Sequence, residues 1–154
     1  MRFTLVTVGK PRAKALARAT ADYLDRLSHY AKVDEVVIRE VRDNDPRRVQ
    51  RGESEAILAA VPDRARLVLL DERGDSLTSR QLAQWIDRQC THGTSRFAFA
   101  IGGAHGHDDI ARDAADRIVS LSAFTMPHEL ARLVLAEQLY RACTILRGEP
   151  YHKD

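Results

Sequence analysis

The chain is poor in cysteine. It has two, Cys90 and Cys143, and no CxxC pair or His-rich tract accompanies them. That argues against a disulfide scaffold, a redox motif or a bound metal, and fits a reduced, cytoplasmic setting. No apolar run approaches the roughly 20 residues of a membrane span. The opening MRFTLVTVGK has too short an apolar stretch for a secretion signal. An excess of one charge is also missing: 24 Lys and Arg face 22 Asp and Glu, a formal +2. The total announces no nucleic-acid binder, so the placement of the basic residues matters more than their number. The turn after the first apolar run is Gly9-Lys10-Pro11, with no GxGxxG, which argues against NAD and FAD. A GxSxG elbow is absent too, so Ser120, Ser122 and Thr125 have little support as hydrolase nucleophiles. Without linkers or repeats, residues 1–154 are expected to form a single domain.

What is present is a regular alternation. Residues 3–8, 33–41, 66–71, 96–101 and 117–122 read as strands, with ERGDSL after the third read as a loop. The charges within 33–41 point to a sheet edge or a half-exposed face. Helices are expected over 11–30, with Pro11 in the first turn, from Asp45-Pro46 to Ala60, from the Thr78/Gln81 capping box to Cys90, and over 108–116. The longest opens at Pro127, carries Leu130, Leu133, Val134, Leu139, Ala142 and Ile145 on its apolar side, and stops at Gly148. The inner strands are continuous apolar runs. The expected fold is therefore α/β, with a mainly parallel sheet covered by helices on both faces.

In such sheets ligands bind beyond the carboxyl ends of the strands. Three consecutive strands end in LLDERG, IGGAHG and SLSAFTMPH, which should share one rim. Glycines in the second loop let a ligand approach the backbone, although GGxxG can equally be a tight turn. Asp71 either meets a ligand or caps its own loop. His105 and His107 without nearby acids or cysteines make a poor metal site. His128, in the first turn of the last helix, reads as structural. The ending PYHKD is unusual for a terminus, where residues tend to be chemically bland.

IGGAHG, SLSAFTMPHELARLVLAEQLYRA and the terminal PYHKD together resemble the RlmH family of SPOUT-class methyltransferases, which modify a pseudouridine in 23S ribosomal RNA. The likeness runs over essentially the whole chain, including LVTVGK and VLLDERG. It implies a homodimer that binds S-adenosyl-L-methionine in a C-terminal trefoil knot and completes its site across the interface. By match, Leu70, Asp71, Gly102, Gly103 and the run Leu121, Ser122, Ala123, Phe124, Thr125 and Met126 are expected to hold the cofactor. Arg141, Tyr151 and His152 are the matching catalytic candidates. The resemblance assigns no role to His105.

The implied reaction moves a methyl group to N3 of pseudouridine on assembled ribosomes. The donor is already activated, so no metal is needed. His152 would accept the N3 proton, Arg141 would stabilise charge on the flanking carbonyls or clamp a phosphate, and Tyr151 would stack on the base or hydrogen-bond to it. The basic residues cluster as Lys10, Arg12, Lys14 and Arg18, then Arg39, Arg42, Arg47, Arg48 and Arg51, then Arg141, Arg147 and Lys153; a dimer would double each cluster into one RNA footprint, although Arg47, Arg48 and Arg51 can also be read as a solvated helix face. The alternative is a ribosome-associated factor that kept the fold and lost the chemistry, against which the intact PYHK tail argues. A flavodoxin-like module lacks its phosphate fingerprint here.

Overall fold

Apolar residues alternate along the strands, so each strand serves two cores at once. In the computed structural model, which describes residues 1–153, the strands are β1 (Arg2–Val8), β2 (Lys32–Ile38), β3 (Arg66–Ser76), β4 (Arg96–Ile101) and β5 (Arg117–Ser120). They form one sheet in the order β2-β1-β4-β3-β5, and every pairing is parallel. Phe3, Leu5, Val68, Phe97 and Phe99 face one core, where Phe97 meets Trp85 edge-on at 5.7 Å. Val6, Val8, Leu67, Leu69, Ala98 and Ala100 face the other. Helices α1 (Lys14–Ser28), α3 (Ser79–Thr91) and α5 (His128–Leu146) supply the first core, and α2 (Pro46–Ala60) and α4 (Asp109–Ala114) the second. The charged strand β2 lies at an edge, as its pattern required, and its Asp34 pairs with Arg2 at 2.5 Å.

Most helix ends follow the local signals. Asp45 accepts from the Arg47 N–H at 2.9 Å, and Thr78 and Gln81 form the reciprocal box. Gly148 stops α5 at φ +67°, with its N–H on the Ile145 carbonyl and the Glu149 N–H on the Thr144 carbonyl. That is the Schellman pattern.

Three expectations are corrected. Helix α1 begins at Lys14, and Pro11 precedes it: the N–H groups of Arg12 and Ala13 are held by Glu129 of α5 at 2.7 and 2.9 Å, a cap supplied from a distant element. The apolar side of α5 is rotated from the one expected. Ala131, Leu135, Ala136, Leu139, Ala142 and Cys143 are buried, whereas Leu130, Leu133, Val134 and Ile145 are half-buried. Apolar residues are spread over more than one side of the helix, between Glu129, Arg132, Glu137, Gln138 and Arg141, so periodicity alone does not choose a face.

The third correction shapes the rim. ERGDSL is not simply a loop, because β3 continues to Ser76. Leu70 and Asp75 both lie opposite Val119, so residues 71–74 bulge out between them. Gly74 permits this. A Cβ there would lie 2.5 Å from the Val119 nitrogen and 2.6 Å from the Ile118 carbonyl carbon. Backbone cannot yield as a side-chain tip can. Gly74→Ala is expected to cost about 1–3 kcal/mol, measured as a lower urea midpoint at unchanged m-value.

Candidate active site

Because all strands run the same way, the bulge of β3 and the loops after β4 and β5 meet on one rim. They enclose a cleft of about 680 Å³, a size suited to a small-molecule ligand. Of the expected cofactor residues, Leu70, Asp71, Gly102, Gly103, Leu121, Ser122, Phe124, Thr125 and Met126 line it. Ala123 is on the same loop but is not among the lining residues. The 121–127 loop is held by its own hydroxyls: Ser120 donates to the Ser122 carbonyl at 3.0 Å, and the Phe124 N–H donates to Ser122 Oγ at 2.9 Å. Phe124 is 86% exposed at the mouth.

The glycine loop closes tightly. The Gly106 N–H donates to the Gly103 carbonyl at 3.0 Å, and Gly106 has φ +71°. A Cβ on Gly102 would press on the Gly106 backbone at 3.0–3.2 Å, so a side chain there would crowd the turn. Gln50 of α2 braces the loop from outside by donating to the His105 carbonyl at 2.9 Å.

Asp71 lines the cleft, yet its carboxylate is already committed. It accepts from the Arg73 N–H at 2.9 Å and pairs with Arg112 at 3.0 Å, with only 6% of its side chain exposed. Burial alone would raise its pKa; the Arg73 N–H and the Arg112 guanidinium outweigh that and hold it below the ordinary carboxyl value. Beside it His107 is buried, with one ring nitrogen 3.2 Å from the Leu70 carbonyl. Burial pushes this imidazole's pKa down. Neutral, it donates from Nε2 to that carbonyl.

The catalytic candidates form a second cluster. Arg141 pairs with Glu137 one turn earlier on α5, its Nε 2.9 Å from Oε1. Tyr151 donates to the same Oε1 at 3.0 Å, and its ring lies 4.7 Å under the Arg141 guanidinium. Tyr23 and Tyr140 complete the setting. Burial, then the contacts with Tyr23 and Glu137, raise the pKa of the Tyr151 hydroxyl, so it stays protonated. Arg141 Nη1 lies 3.3 Å from His152 Nδ1. A guanidinium only donates, so Nδ1 accepts and Nε2 carries the imidazole proton.

Arg141, Tyr151 and His152 are thus brought together, but none of them lines the cleft. Arg141 follows Ala131, which does line it, by ten residues of the same helix. At 1.5 Å per residue that is about 15 Å.

A family model described as "Predicted SPOUT methyltransferase" matches residues 1–152. The chain is 43% identical to the ribosomal RNA large subunit methyltransferase H of Gemmatimonas aurantiaca, over 99% of this chain and all of that one. It is 41% identical to the protein of the same name from Geobacter metallireducens, over 99% of both. The chain belongs to the ribosomal RNA large subunit methyltransferase H family of SPOUT methyltransferases. Among solved structures, TrmJ from Z. mobilis ZM4 covers 97% of this chain, which covers 72% of it, with a TM-score of 0.57 at 16% identity. That likeness is one of fold.

Membership makes the chain a methyltransferase, and the geometry adds residues that motif reading passed over. Glu137 organises both Arg141 and Tyr151. It stands four residues before Arg141 in AEQLYRA, and that i,i+4 spacing of opposite charges was the available signal. Arg112 and Glu53 left no such trace. Glu53 is buried on α2, where it accepts from the Val41 N–H at 3.1 Å and backs Gly103 with its other oxygen. For Asp71, the sign of the pKa shift fixes a pH dependence. A carboxyl depressed in the folded state stabilises fully above its unfolded value near 4 and loses that contribution as pH falls. Asp71→Asn should therefore cost about 2 kcal/mol at pH 7, and the gap from wild type should shrink below pH 4 in denaturant titrations.

Proposed function

We propose that this family member methylates N3 of a pseudouridine in 23S ribosomal RNA on assembled ribosomes, using S-adenosyl-L-methionine, and that it works as a cytoplasmic homodimer of single-domain subunits. The observation that carries the reading is the cleft built from the β3 bulge and the loops after β4 and β5, together with a polar tail cluster that the same chain holds about 15 Å further along α5. A two-fold axis brings one subunit's tail to the other's cleft, which makes a complete site from two incomplete ones.

The cleft fits the cofactor. Leu70, Ile101, Leu121 and Met126 offer apolar walls, Gly102 and Gly103 leave backbone accessible, and the 121–126 loop supplies backbone polar groups with no charged side chain. The trefoil knot implied by the family would bring these segments together. When bound there, S-adenosyl-L-methionine supplies an activated methyl group, and no metal is called for. The chain's own task is to hold the base in line and to stabilise the charge that develops on it. Arg141, fixed by Glu137, does the second. Tyr151 stays protonated and presents its ring and hydroxyl to the base. With Nδ1 facing Arg141, His152 serves as an Nε2–H donor to a carbonyl of the base, in place of the proton acceptor that residue type alone had suggested; the N3 proton, made more acidic as charge on the flanking carbonyls is stabilised, passes to solvent water, and the nitrogen pair forms the new N–C bond as the C–S bond of the donor breaks.

Methyl transfer from labelled S-adenosyl-L-methionine to ribosomes lacking the modification, followed by nucleoside mass analysis of 23S RNA, tests the reaction. A methylated pseudouridine is expected, and no incorporation would refute it. The role of His152 separates by isostere. Glutamine places an N–H near the Nε2 position, so His152→Gln should keep activity within about tenfold of wild type, while His152→Ala loses about 10²–10³. Equal losses in the two variants would refute the donor role.

The shared site has its own assay. His152→Ala is mixed by co-refolding with Gly103→Val, after Gly103→Val is shown to be folded and unable to bind S-adenosylhomocysteine. Half the dimers are then mixed, and each holds one intact site, so activity should return to about a quarter of wild type. If sites were complete within single subunits, mixing would restore nothing.

A further inference from the structure

Among the basic clusters, the structure separates arginines that are paired within the fold from those that are not. Arg48 faces Asp43 and Asp45, each at 3.9 Å, and Arg51 pairs with Glu55 at 2.8 Å and Asp108 at 3.4 Å. Arg39, Arg42 and Arg47 are exposed, and among the described residues no carboxylate comes within salt-bridge distance of them. The acids beside them are taken: Glu40 by Arg12, Asp43 by Arg48 and the Asp45 N–H, and Asp45 by Arg48 and the Arg47 N–H.

Their position works against local stability. Helix α2 starts with Pro46, Arg47 and Arg48 and has no acid in its first turn. Cations at a helix N-terminus oppose the dipole, and violations of local preference tend to mark functional positions. The segment that carries Arg39 and Arg42 is also fixed. The Val41 N–H is held by buried Glu53, and the Val41 side chain lies where a Cβ on Gly52 would meet it at 3.2 Å. The charges therefore sit on a rigid base.

The location gives them a target. The 39–45 segment leaves the carboxyl end of β2, on the same rim as the cleft. Arg47 is three residues before Gln50, which lines the cleft and holds its glycine loop, and i,i+3 positions share a helix face. We propose that Arg39, Arg42 and Arg47 form a phosphate-binding apron that grips the RNA strand flanking the target nucleotide, while the cleft and tail handle the base. This rests on the RNA-methyltransferase reading above. Phosphate contacts set position and carry no sequence information, which suits an enzyme that reads shape and surroundings.

The test compares wild type, the triple variant R39Q/R42Q/R47Q, and a charge-matched control on the opposite rim, R64Q/R88Q/R96Q. S-adenosylhomocysteine affinity should be the same in all three. For the triple variant, KM for ribosomes should rise about tenfold or more at unchanged kcat. Its binding to naked 23S RNA should show a salt slope shallower by about 2, roughly 0.7 for each phosphate that an arginine no longer neutralises. KM and slope equal to those of the control would overturn the apron and leave the function standing. Weakened ribosome binding with naked-RNA binding intact would also overturn it, by assigning the arginines to an acidic ribosomal protein. A wild-type protein that binds neither ribosome nor RNA would overturn the functional reading and the apron with it.

Discussion

Gly74 lies against the Ile118–Val119 peptide, closer than any other residue type allows, and the cleft depends on that contact. It lets β3 leave the sheet after Leu70, bulge through four residues, and return at Asp75 opposite the same Val119 of β5. The bulge carries Asp71 to Arg112 and Arg73 to the cleft wall. A straight β3 would have kept these groups in the ladder. The wall opposite, residues 121–127, begins where β5 ends at Ser120, so the register of β5 against the bulge sets the width of the site.

Carboxylates then fix the loops that the sheet leaves free. Asp71 holds the bulge through Arg73 and Arg112, Glu53 holds the 39–45 segment beneath Gly103, and Glu129 ties the start of α5 to the start of α1. Glu137 does the same for the tail. In each case a carboxylate satisfies donors that would otherwise need water at the edge of a core. The polar interior of this small protein thus serves to position loops, and the aromatic and aliphatic cores on either side of the sheet supply the cohesion.

This division explains what could be read in advance. Strand β4, the capping box at Thr78, the Asp45-Pro46 start and the Gly148 stop are local statements, each written in a few adjacent residues, and the structure keeps them. The convergence of three loops followed from parallel order alone. The rest depended on partners far apart in sequence. Nothing near Lys14 says that α1 starts there, because the cap is Glu129. Nothing in ERGDSL says that it re-enters a sheet, because the reason is the backbone of β5. Leu130, Leu133 and Val134 looked like core positions because apolar residues of α5 are spread over more than one side, and only packing against α1 and α3 decides which stripe is buried. In the site, the residue types of the tail were legible, while the proton on His152 Nε2 required Arg141 to be seen beside Nδ1.

In the proposed dimer, the half-covered stripe and the separation of tail from cleft have a common explanation. Helix α5 leaves Leu130, Leu133 and Val134 half-buried, and it is also the element that sets the tail about 15 Å from the cleft. One two-fold contact along α5 would cover Leu130, Leu133 and Val134 and, in the same step, carry Arg141, Tyr151 and His152 toward the opposite cleft. The burial and the chemistry then depend on a single interface. On that two-subunit reading, the contact that covers Leu130, Leu133 and Val134 is the same one that completes the site, so burial and catalysis favour one assembly.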